Sequence, residues 1–144
     1  AESGGNILVS GAHIATDLWD NFDSCNLTRD FAKRVLKYEW RTNSASRTAE
    51  VKAAQSPYHF TGRYSFFNTP NEKVYSAESP DGIEPVGKDA WTIFRYADNN
   101  ISAGVAFSGE YKIVTLGFPI ETLREESQID SIIEAIINFY KEIQ

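Results

Sequence analysis

The end of the chain carries the feature that most constrains its fold, a long amphipathic repeat. Between residues 127 and 144, apolar side chains recur every three or four positions: Ile129, Ile132, Ile133, Ile136, Ile137, Tyr140 and Ile143. This spacing predicts a terminal helix with one apolar face, capped at Ser127. Such a helix needs another apolar layer to pack against, and short strand-like segments elsewhere in the chain can provide it.

The first of these segments is a bounded apolar run at residues 7–9. It follows Gly4 and Gly5 and precedes Gly11, an arrangement typical of a helix end that leads into a buried strand of a parallel sheet. On this interpretation the chain opens in the middle of an alternating α/β pattern, because the helix that would precede Gly4 is missing. We therefore expect the start of the chain to be a processed or truncated end.

The remaining segments alternate between one helix and several strands. An apolar helical stripe predicts a helix between a Thr28 cap and Tyr38. Residues 40–55 are polar and are expected to be extended. Further strands are predicted at residues 60–67, 73–77, 91–96, 103–107 and 111–116. The last two form a hairpin, whereas residues 79–82 and Pro85 are expected in turns and loops.

Composition fits one globular domain, residues 1–144, that needs neither a disulfide nor a metal ion to fold. Hydrophobic residues make up 42% and charged residues 24%, and a chain of this length can bury roughly two-thirds of its unfolded surface. Cys25 is the only cysteine, which excludes an internal disulfide. The net charge of −6 disfavours nucleic acids and anionic membranes. No apolar run approaches the ~20 residues of a membrane-spanning helix, so membrane insertion is not expected.

Residues 117–121 read Gly-Phe-Pro-Ile-Glu, after the predicted hairpin and before the terminal helix. This order resembles the end of class I glutamine amidotransferase-like domains, in which a strand ending in Phe-His-Pro-Glu precedes the last helix. Glu121 matches the Glu of that motif, and Pro119 stands at the His position. The Gly-Gly-strand segment at residues 4–11 is similar to one that lies mid-domain in the same superfamily.

Three blocks, residues 10–17, 79–85 and 117–122, resemble a narrower group. Similar blocks occur in large exported proteins of Bacteroides-type bacteria that are labelled xanthan lyase or cell-wall amidase. The resemblance implies a three-layer, flavodoxin-like α/β domain with a mixed sheet. Its N-terminal βα units are expected to be missing, either because the chain is a fragment or because the family uses a shortened sheet. It also implies an exported location, in the periplasm, on the cell surface or outside the cell.

Glutamine hydrolysis is not expected from this chain. That reaction requires a Cys nucleophile at a strand-to-helix elbow, a His that activates it and a Glu that orients the His. Cys25 does not follow an apolar strand, and Pro119 replaces the His.

Ser10, His13 and Asp17 follow the first predicted strand, at the edge where open α/β sheets bind ligands. With Glu121 they could form a catalytic set, or they could contact a ligand, or they could only shape the loop through hydrogen bonds. Catalytic triads usually gather from separate strands, so their origin in one short loop favours the structural role.

Other candidate ligand contacts are spread along the chain. Three carboxylates lie near predicted turns: Asp81, Glu84 and Asp89. They could hold calcium, although they lack the dense Asp-x-Asp spacing of such sites, and Asp81 is a candidate ligand contact. Trp19, in a polar loop, is the best candidate for an exposed sugar-stacking ring, although it could equally pack in the core, and Trp91 is expected in the core. Arg95 is expected to pair with a carboxylate or to contact a ligand.

Three functions remain open at this point. The leading one is a non-catalytic accessory or glycan-binding module, whose partners are neighbouring domains of the parent protein and polysaccharide or peptidoglycan. The second is a hydrolase or polysaccharide lyase that uses residues at the strand ends. The third is a structural domain that completes its sheet with another chain or domain. No cofactor is expected, since the chain has no phosphate-binding loop and no second His at metal-ligand spacing.

Overall fold

The computed structural model describes residues 4–19 and 26–142, apart from the side chains of Asp17, Leu18 and Asn26. The strands are β1 (Asn6–Ser10), β2 (Tyr38–Thr42), β3 (Glu50–Ala53), β4 (Arg63–Ser65), β5 (Gly82–Pro85), β6 (Ala90–Tyr96), β7 (Ser102–Ser108) and β8 (Lys112–Leu116). The helices are α1 (Thr16–Trp19), α2 (Asn26–Phe31) with a π-helical continuation (Ala32–Leu36), a 3-10 turn (Ile120–Thr122) and α3 (Glu126–Lys141). Cys25 and Ile143 lie outside the described residues.

A mixed sheet of six strands forms the centre of the fold, in the order β1-β8-β7-β6-β3-β4. β1 and β8 are parallel, and the other neighbours are antiparallel. β2 and β5 form a separate antiparallel pair. The chain is therefore mixed α/β, and the predicted combination of a parallel part with an antiparallel hairpin near the end is confirmed.

The two faces of the six-stranded sheet bury separate cores, because successive strand residues point to opposite faces. Val114 and Leu116 of β8 belong to the core that includes the buried face of α3, namely Ile132, Ile136 and Phe139. Ile113 of β8 and Phe107 of β7 belong to the other core, which β2, β5 and the short helices cover. The amphipathic repeat at the end of the chain thus forms the predicted helix, but the helix begins at Glu126 with Glu125 at the N-cap, so Ser127 lies inside it and does not cap it.

Two strand predictions are wrong for local reasons. Residues 73–77 form no strand, because the side-chain oxygen of Asn71 accepts hydrogen bonds from the backbone N–H groups of Lys73 (2.9 Å) and Val74 (3.0 Å). These donors close a turn and are not available to a ladder. Conversely, Gly82–Pro85 forms β5 although it ends in a proline. β5 pairs only with β2 among the described strands, and an edge strand tolerates proline.

The prediction that Trp91 lies in the core is also wrong, since its side chain is 47% exposed. The pairing of β6 with β7 shifts register between Thr92 and Phe94, so that Ile93 and Phe94 are both fully buried. A bulge of this kind interrupts the alternation that a sequence pattern assumes. Within the described residues, no helix is long and apolar enough to cross a membrane.

Candidate functional site

The three sequence blocks at residues 10–17, 79–85 and 117–122 meet in space, and we call this place the junction. Ser10, at the end of β1, joins the first block to the third. Its hydroxyl donates to the carbonyl of Phe118 (3.0 Å) and accepts from the N–H of Ile120 (2.9 Å). The hydroxyl thereby fixes the turn that follows β8, and both of its hydrogen-bonding directions are used by the backbone.

Asp81 joins the second block to the first from a fully buried position. One carboxylate oxygen accepts from the N–H groups of Ala15 (2.8 Å) and Thr16 (3.1 Å), and the other accepts from the Thr16 hydroxyl (2.5 Å). Asp81 therefore caps α1 from a distant part of the chain, satisfying donors that the first turn of a helix leaves free. Burial raises the pKa of Asp81 above its ordinary value of 3.8, while the hydrogen bonds from Thr16 and Ala15 and the charge of His13 oppose that rise.

The backbone of Asp81 holds the second block against the third. Its N–H donates to the carbonyl of Gly117 (2.9 Å), and its carbonyl accepts from the hydroxyl of buried Tyr96 (2.6 Å). A Cβ at Gly117 would lie 2.1 Å from the Asp81 carbonyl oxygen, far inside van der Waals contact. The approach therefore requires glycine at position 117.

Among the described side chains of the predicted catalytic set, Ser10 and Glu121 hydrogen-bond to groups outside the set. His13 is exposed, and Asp17 contributes backbone to α1, although its side chain lies outside the described residues. Glu121 follows the turn fixed by Ser10, but its side chain is exposed and accepts a hydrogen bond from the Tyr75 hydroxyl. Trp19 is half-buried, with its ring 6.0 Å from that of Tyr38.

Glu121 lies on the rim of an open groove of ≈ 550 Å³ at the start of α3. Lys73 and Arg124 bring positive charge to this groove, and Glu125 and Glu126 bring negative charge. Burial, together with the hydrogen bond to Glu121 and its charge, raises the pKa of Tyr75 to about 12. Tyr75 is therefore protonated at neutral pH and acts as a hydrogen-bond donor to the carboxylate.

A second candidate surface surrounds the exposed indole of Trp91, and we call it the Trp91 platform. Trp91 lines two adjoining open grooves, of ≈ 380 Å³ and ≈ 470 Å³. The first also contains Gln55, Glu84 and Arg95, and the second contains Gln55 and the segment Ser56–Pro57. The platform combines a flat apolar ring with amide, guanidinium and carboxylate groups.

Hydrogen bonds at both ends tie the loop beside Trp91 to the sheet. At one end the N–H of Ala54 donates to the carbonyl of Ile93 (2.8 Å). At the other end the Tyr58 hydroxyl donates to the carbonyl of Asp89, next to the start of β6. Both ends of the loop are thus anchored to residues that flank Trp91, which holds the backbone of Gln55 beside the strand that carries the ring.

The two charged side chains of the Trp91 platform, Arg95 and Glu84, are bonded to other residues. The guanidinium of Arg95 donates to the carbonyl of Asn100 (2.9 Å), in place of the carboxylate that the sequence led us to expect. Glu84 forms an ion pair with Arg41 (2.9 Å). The calcium alternative gains no support, because across residues 4–19 and 26–142 no three His, Cys, Asp or Glu side chains gather where they could hold a metal ion.

The sequence made Trp19 the best candidate for an exposed ring, with core packing as the alternative; the structure leaves Trp19 half-buried and exposes Trp91. One signal in the sequence could have warned of this. Ile93 and Phe94 are two large apolar residues in succession, which breaks the alternation of a regular strand and indicates a bulge. Comparisons of the sequence with protein-family models and with curated proteins gave no match.

Proposed function

We propose that this domain is a non-catalytic, glycan-binding accessory module of an exported protein that acts on polysaccharide or cell wall. The observation that carries the proposal is the Trp91 platform, an exposed indole held between anchored polar groups. The C–H faces of a pyranose ring pack on a flat aromatic surface, and its hydroxyls pair with planar amide, guanidinium and carboxylate groups. Binding sites commonly combine an apolar surface with a few fixed polar groups in this way.

The junction supports the non-catalytic part of the proposal. The Ser10 hydroxyl and both carboxylate oxygens of Asp81 are committed to backbone groups and to Thr16. A nucleophilic serine needs a base within hydrogen-bond reach, whereas Ser10 bonds to a carbonyl and an amide. Its role in the proposal is to hold the turn before the 3-10 helix.

The resemblance to glutamine amidotransferase-like domains belongs to the same proposal. The three blocks that carry the narrower resemblance are the segments that meet at the junction, which is the behaviour expected of a shared structural signature. On this view the sheet is a flavodoxin-like one, and the parent protein is of the exported, Bacteroides type labelled xanthan lyase or cell-wall amidase.

A thermal-shift screen against polysaccharide fragments and muropeptides tests the proposal. A ligand at 100 times its Kd adds about 2.7 kcal/mol to the free energy of unfolding, a clear rise in Tm. The rise should vanish in Trp91→Ala and persist in Phe31→Ala, a matched control because Phe31 is also 47% exposed. If no glycan raises the Tm, or if Trp91→Ala keeps the rise, the glycan-binding function is wrong.

The alternative, a hydrolase or polysaccharide lyase, has one observation in its favour. Glu121 and Tyr75 form an exposed, hydrogen-bonded pair beside a groove that Lys73 and Arg124 line. A carboxylate, a phenol and cations are groups that could move a proton and bind an acidic sugar. Depolymerisation of acidic polysaccharides by the chain, lost in both Glu121→Gln and Tyr75→Phe, would establish this alternative. If both variants depolymerise the polysaccharide as fast as the wild-type chain, this alternative is wrong.

A further inference from the structure

Three basic residues lie side by side across neighbouring strands of the six-stranded sheet. Lys52 of β3 is directly opposite Arg63 of β4 and directly opposite Arg95 of β6. Residues that are directly opposite in an antiparallel pair share one face of the sheet, with Cβ atoms about 5 Å apart. The three residues therefore form a row, which we call the cation row.

The cation row lies on the face of the sheet that α3 does not cover. Val51, next to Lys52 in β3, belongs to the core under α3, so Lys52 is on the opposite face. The second core covers that face, but among the described residues it includes none from β3 or β4. Arg63 is accordingly exposed, and Lys52 and Arg95 are half-buried. An ion in solution can therefore reach all three side chains.

Protein carboxylates neutralise only part of the charge of this row. Glu50 forms an ion pair with Arg63 (2.9 Å). Arg95 donates to the backbone carbonyl of Asn100, which carries no charge. In the part of the chain that the structure describes, Lys52 has no ion pair or hydrogen bond, and Arg95 has no ion pair. Two adjacent cations thus lack a carboxylate partner.

The needs of the fold do not account for these two cations. Like charges directly opposite each other destabilise a sheet. A charge on an outer strand protects the sheet edge from pairing with other chains, which explains Arg63, because β4 is an outer strand. β3 and β6 are inner strands, so Lys52 and Arg95 give no such protection. An anion bound between the two cations would offset their repulsion.

Arg95 connects the cation row to the Trp91 platform. Its side chain lines the same groove as the Trp91 ring, and the two residues are four positions apart on β6, at most ~13 Å. Glu84, the carboxylate of that groove, is already paired with Arg41 (2.9 Å). A sugar that packs on the ring and acidic groups that lie on the row can therefore belong to one extended chain.

We propose that the glycan bound by the Trp91 platform is acidic and that its carboxylate or sulfate groups bind along the cation row. This inference rests on the proposed glycan-binding function and adds the chemical class of the glycan. Arg63 and Arg95 offer paired N–H donors to such groups, and Lys52 offers a compact charge. The row is short and the net charge of the chain is −6, which disfavours a nucleic acid as the ligand.

Polymers that differ only in charge test the proposal by isothermal titration calorimetry. Polygalacturonate is compared with its methyl ester, and dextran sulfate with dextran of the same length. At least one acidic polymer should bind about tenfold tighter than its neutral partner. This preference should fall between about 0.05 M and about 0.5 M salt, because salt screens exposed charges.

The same titrations separate this proposal from the proposed function. If the neutral partners bind as tightly as the acidic polymers and Trp91→Ala abolishes binding, the glycan-binding function stands and the acidic class is wrong. If none of the four polymers binds, the acidic class is again wrong, while the wider thermal-shift screen still decides the proposed function. A single-stranded oligonucleotide that binds more tightly than every glycan would also overturn the proposal.

Substitutions identify the cations that bind the acidic groups. Lys52→Gln should weaken binding of the acidic polymer several-fold, and adding Arg63→Gln should weaken it further, with binding of the neutral partner unchanged. Lys141→Gln is the matched control, because it removes an exposed charge from α3 on the other side of the sheet, and it should bind normally. If Lys73→Gln weakens binding and Lys52→Gln does not, the acidic polymer occupies the groove beside Glu121 and the proposal is wrong.

Thermal unfolding without ligand distinguishes a binding role of Lys52 from a structural one. Lys52→Gln removes the repulsion between Lys52 and the two arginines opposite it, so the Tm should stay the same or rise. A variant that keeps its Tm and loses the preference for the acidic polymer supports the proposal. A lower Tm in Lys52→Gln would show that the cation serves the fold and would overturn the proposal.

Discussion

The junction and the Trp91 platform use polar groups in opposite ways. At the junction, Ser10 and Asp81 are committed to backbone groups of other segments, and Asp81 is completely buried. At the platform, Gln55 lines open grooves around an exposed ring, and the side chains of Arg95 and Glu84 bond at its edge to Asn100 and Arg41 while remaining partly exposed. Residue types associated with catalysis thus bond to backbone within the fold, while the surface that we propose for binding is built around an aromatic residue that alternation assigns to the core.

This difference shows why residue type alone is a weak guide to function in a chain like this one. A buried carboxylate or hydroxyl that is fully hydrogen-bonded contributes rigidity, because losing its partner leaves buried groups unpaired. A ring that is about half exposed has a free face for a ligand. Substitutions in the two regions should therefore differ in effect, since those at the junction change stability and those at the platform change binding.

The largest effect is expected for Gly117→Ala. The new Cβ would lie 2.1 Å from the carbonyl oxygen of Asp81, and backbone on both sides would have to move. We expect a loss of about 4 kcal/mol in the free energy of unfolding, measured by urea titration. Gly87→Ala is the control, because a Cβ at Gly87 would meet no atom within 4 Å. It measures the loss of a glycine without a clash, with some strain from the positive φ of 87°. A Gly117→Ala chain of normal stability would contradict the close approach.

Asp81→Ala should cost about 3 kcal/mol, because it leaves the N–H groups of Ala15 and Thr16 without their acceptor. Asp81→Asn keeps the shape, retains one acceptor oxygen for those groups and removes the buried charge. At neutral pH it should therefore cost much less than Asp81→Ala. Equal losses in the two variants, by urea titration, would show that Asp81 does not act as a cap.

The stability difference between wild type and Asp81→Asn should depend on pH. The pKa of Asp81 is raised on folding, so the folded chain binds a proton that the unfolded chain has released. The stability that this proton contributes is complete below pH 3.8 and is lost as the pH rises through the raised folded pKa. Wild type should therefore weaken relative to Asp81→Asn across that window, and a difference that grows in the opposite direction would contradict the raised pKa.

Ser10→Ala should have a smaller effect, about 1.5 kcal/mol, because the carbonyl of Phe118 and the N–H of Ile120 lose a part-buried partner. Thermal unfolding measures the loss. Ser10→Thr, which keeps a hydroxyl, should recover part of it. If Ser10→Ala leaves the Tm unchanged, the hydroxyl is not the link between β1 and the turn after β8.

The sequence is sufficient to predict the regular parts of this fold. Residues 127–144 and 103–116 carry clear periodicity or turn signals, and α3 and the β7–β8 hairpin follow from them. Residues 73–77 and β5 are mispredicted because a single Asn71 side chain and a proline at an edge decide their structure. The sequence singles out Asp81 and Ser10 as polar residues of interest but does not reveal their roles. Each forms its hydrogen bonds with residues more than 60 positions away in the chain.

The most direct test measures affinity and Tm together for Trp91→Ala and Ser10→Ala, using the glycan that gives the largest thermal shift. Our account predicts that Trp91→Ala weakens binding at least tenfold, about 1.4 kcal/mol, when it is measured below the melting transition of the variant. Ser10→Ala should lower the Tm and bind normally below its melting transition. The reverse pattern, in which Ser10→Ala abolishes binding while Trp91→Ala binds like wild type, would place the functional site at the junction and contradict the account.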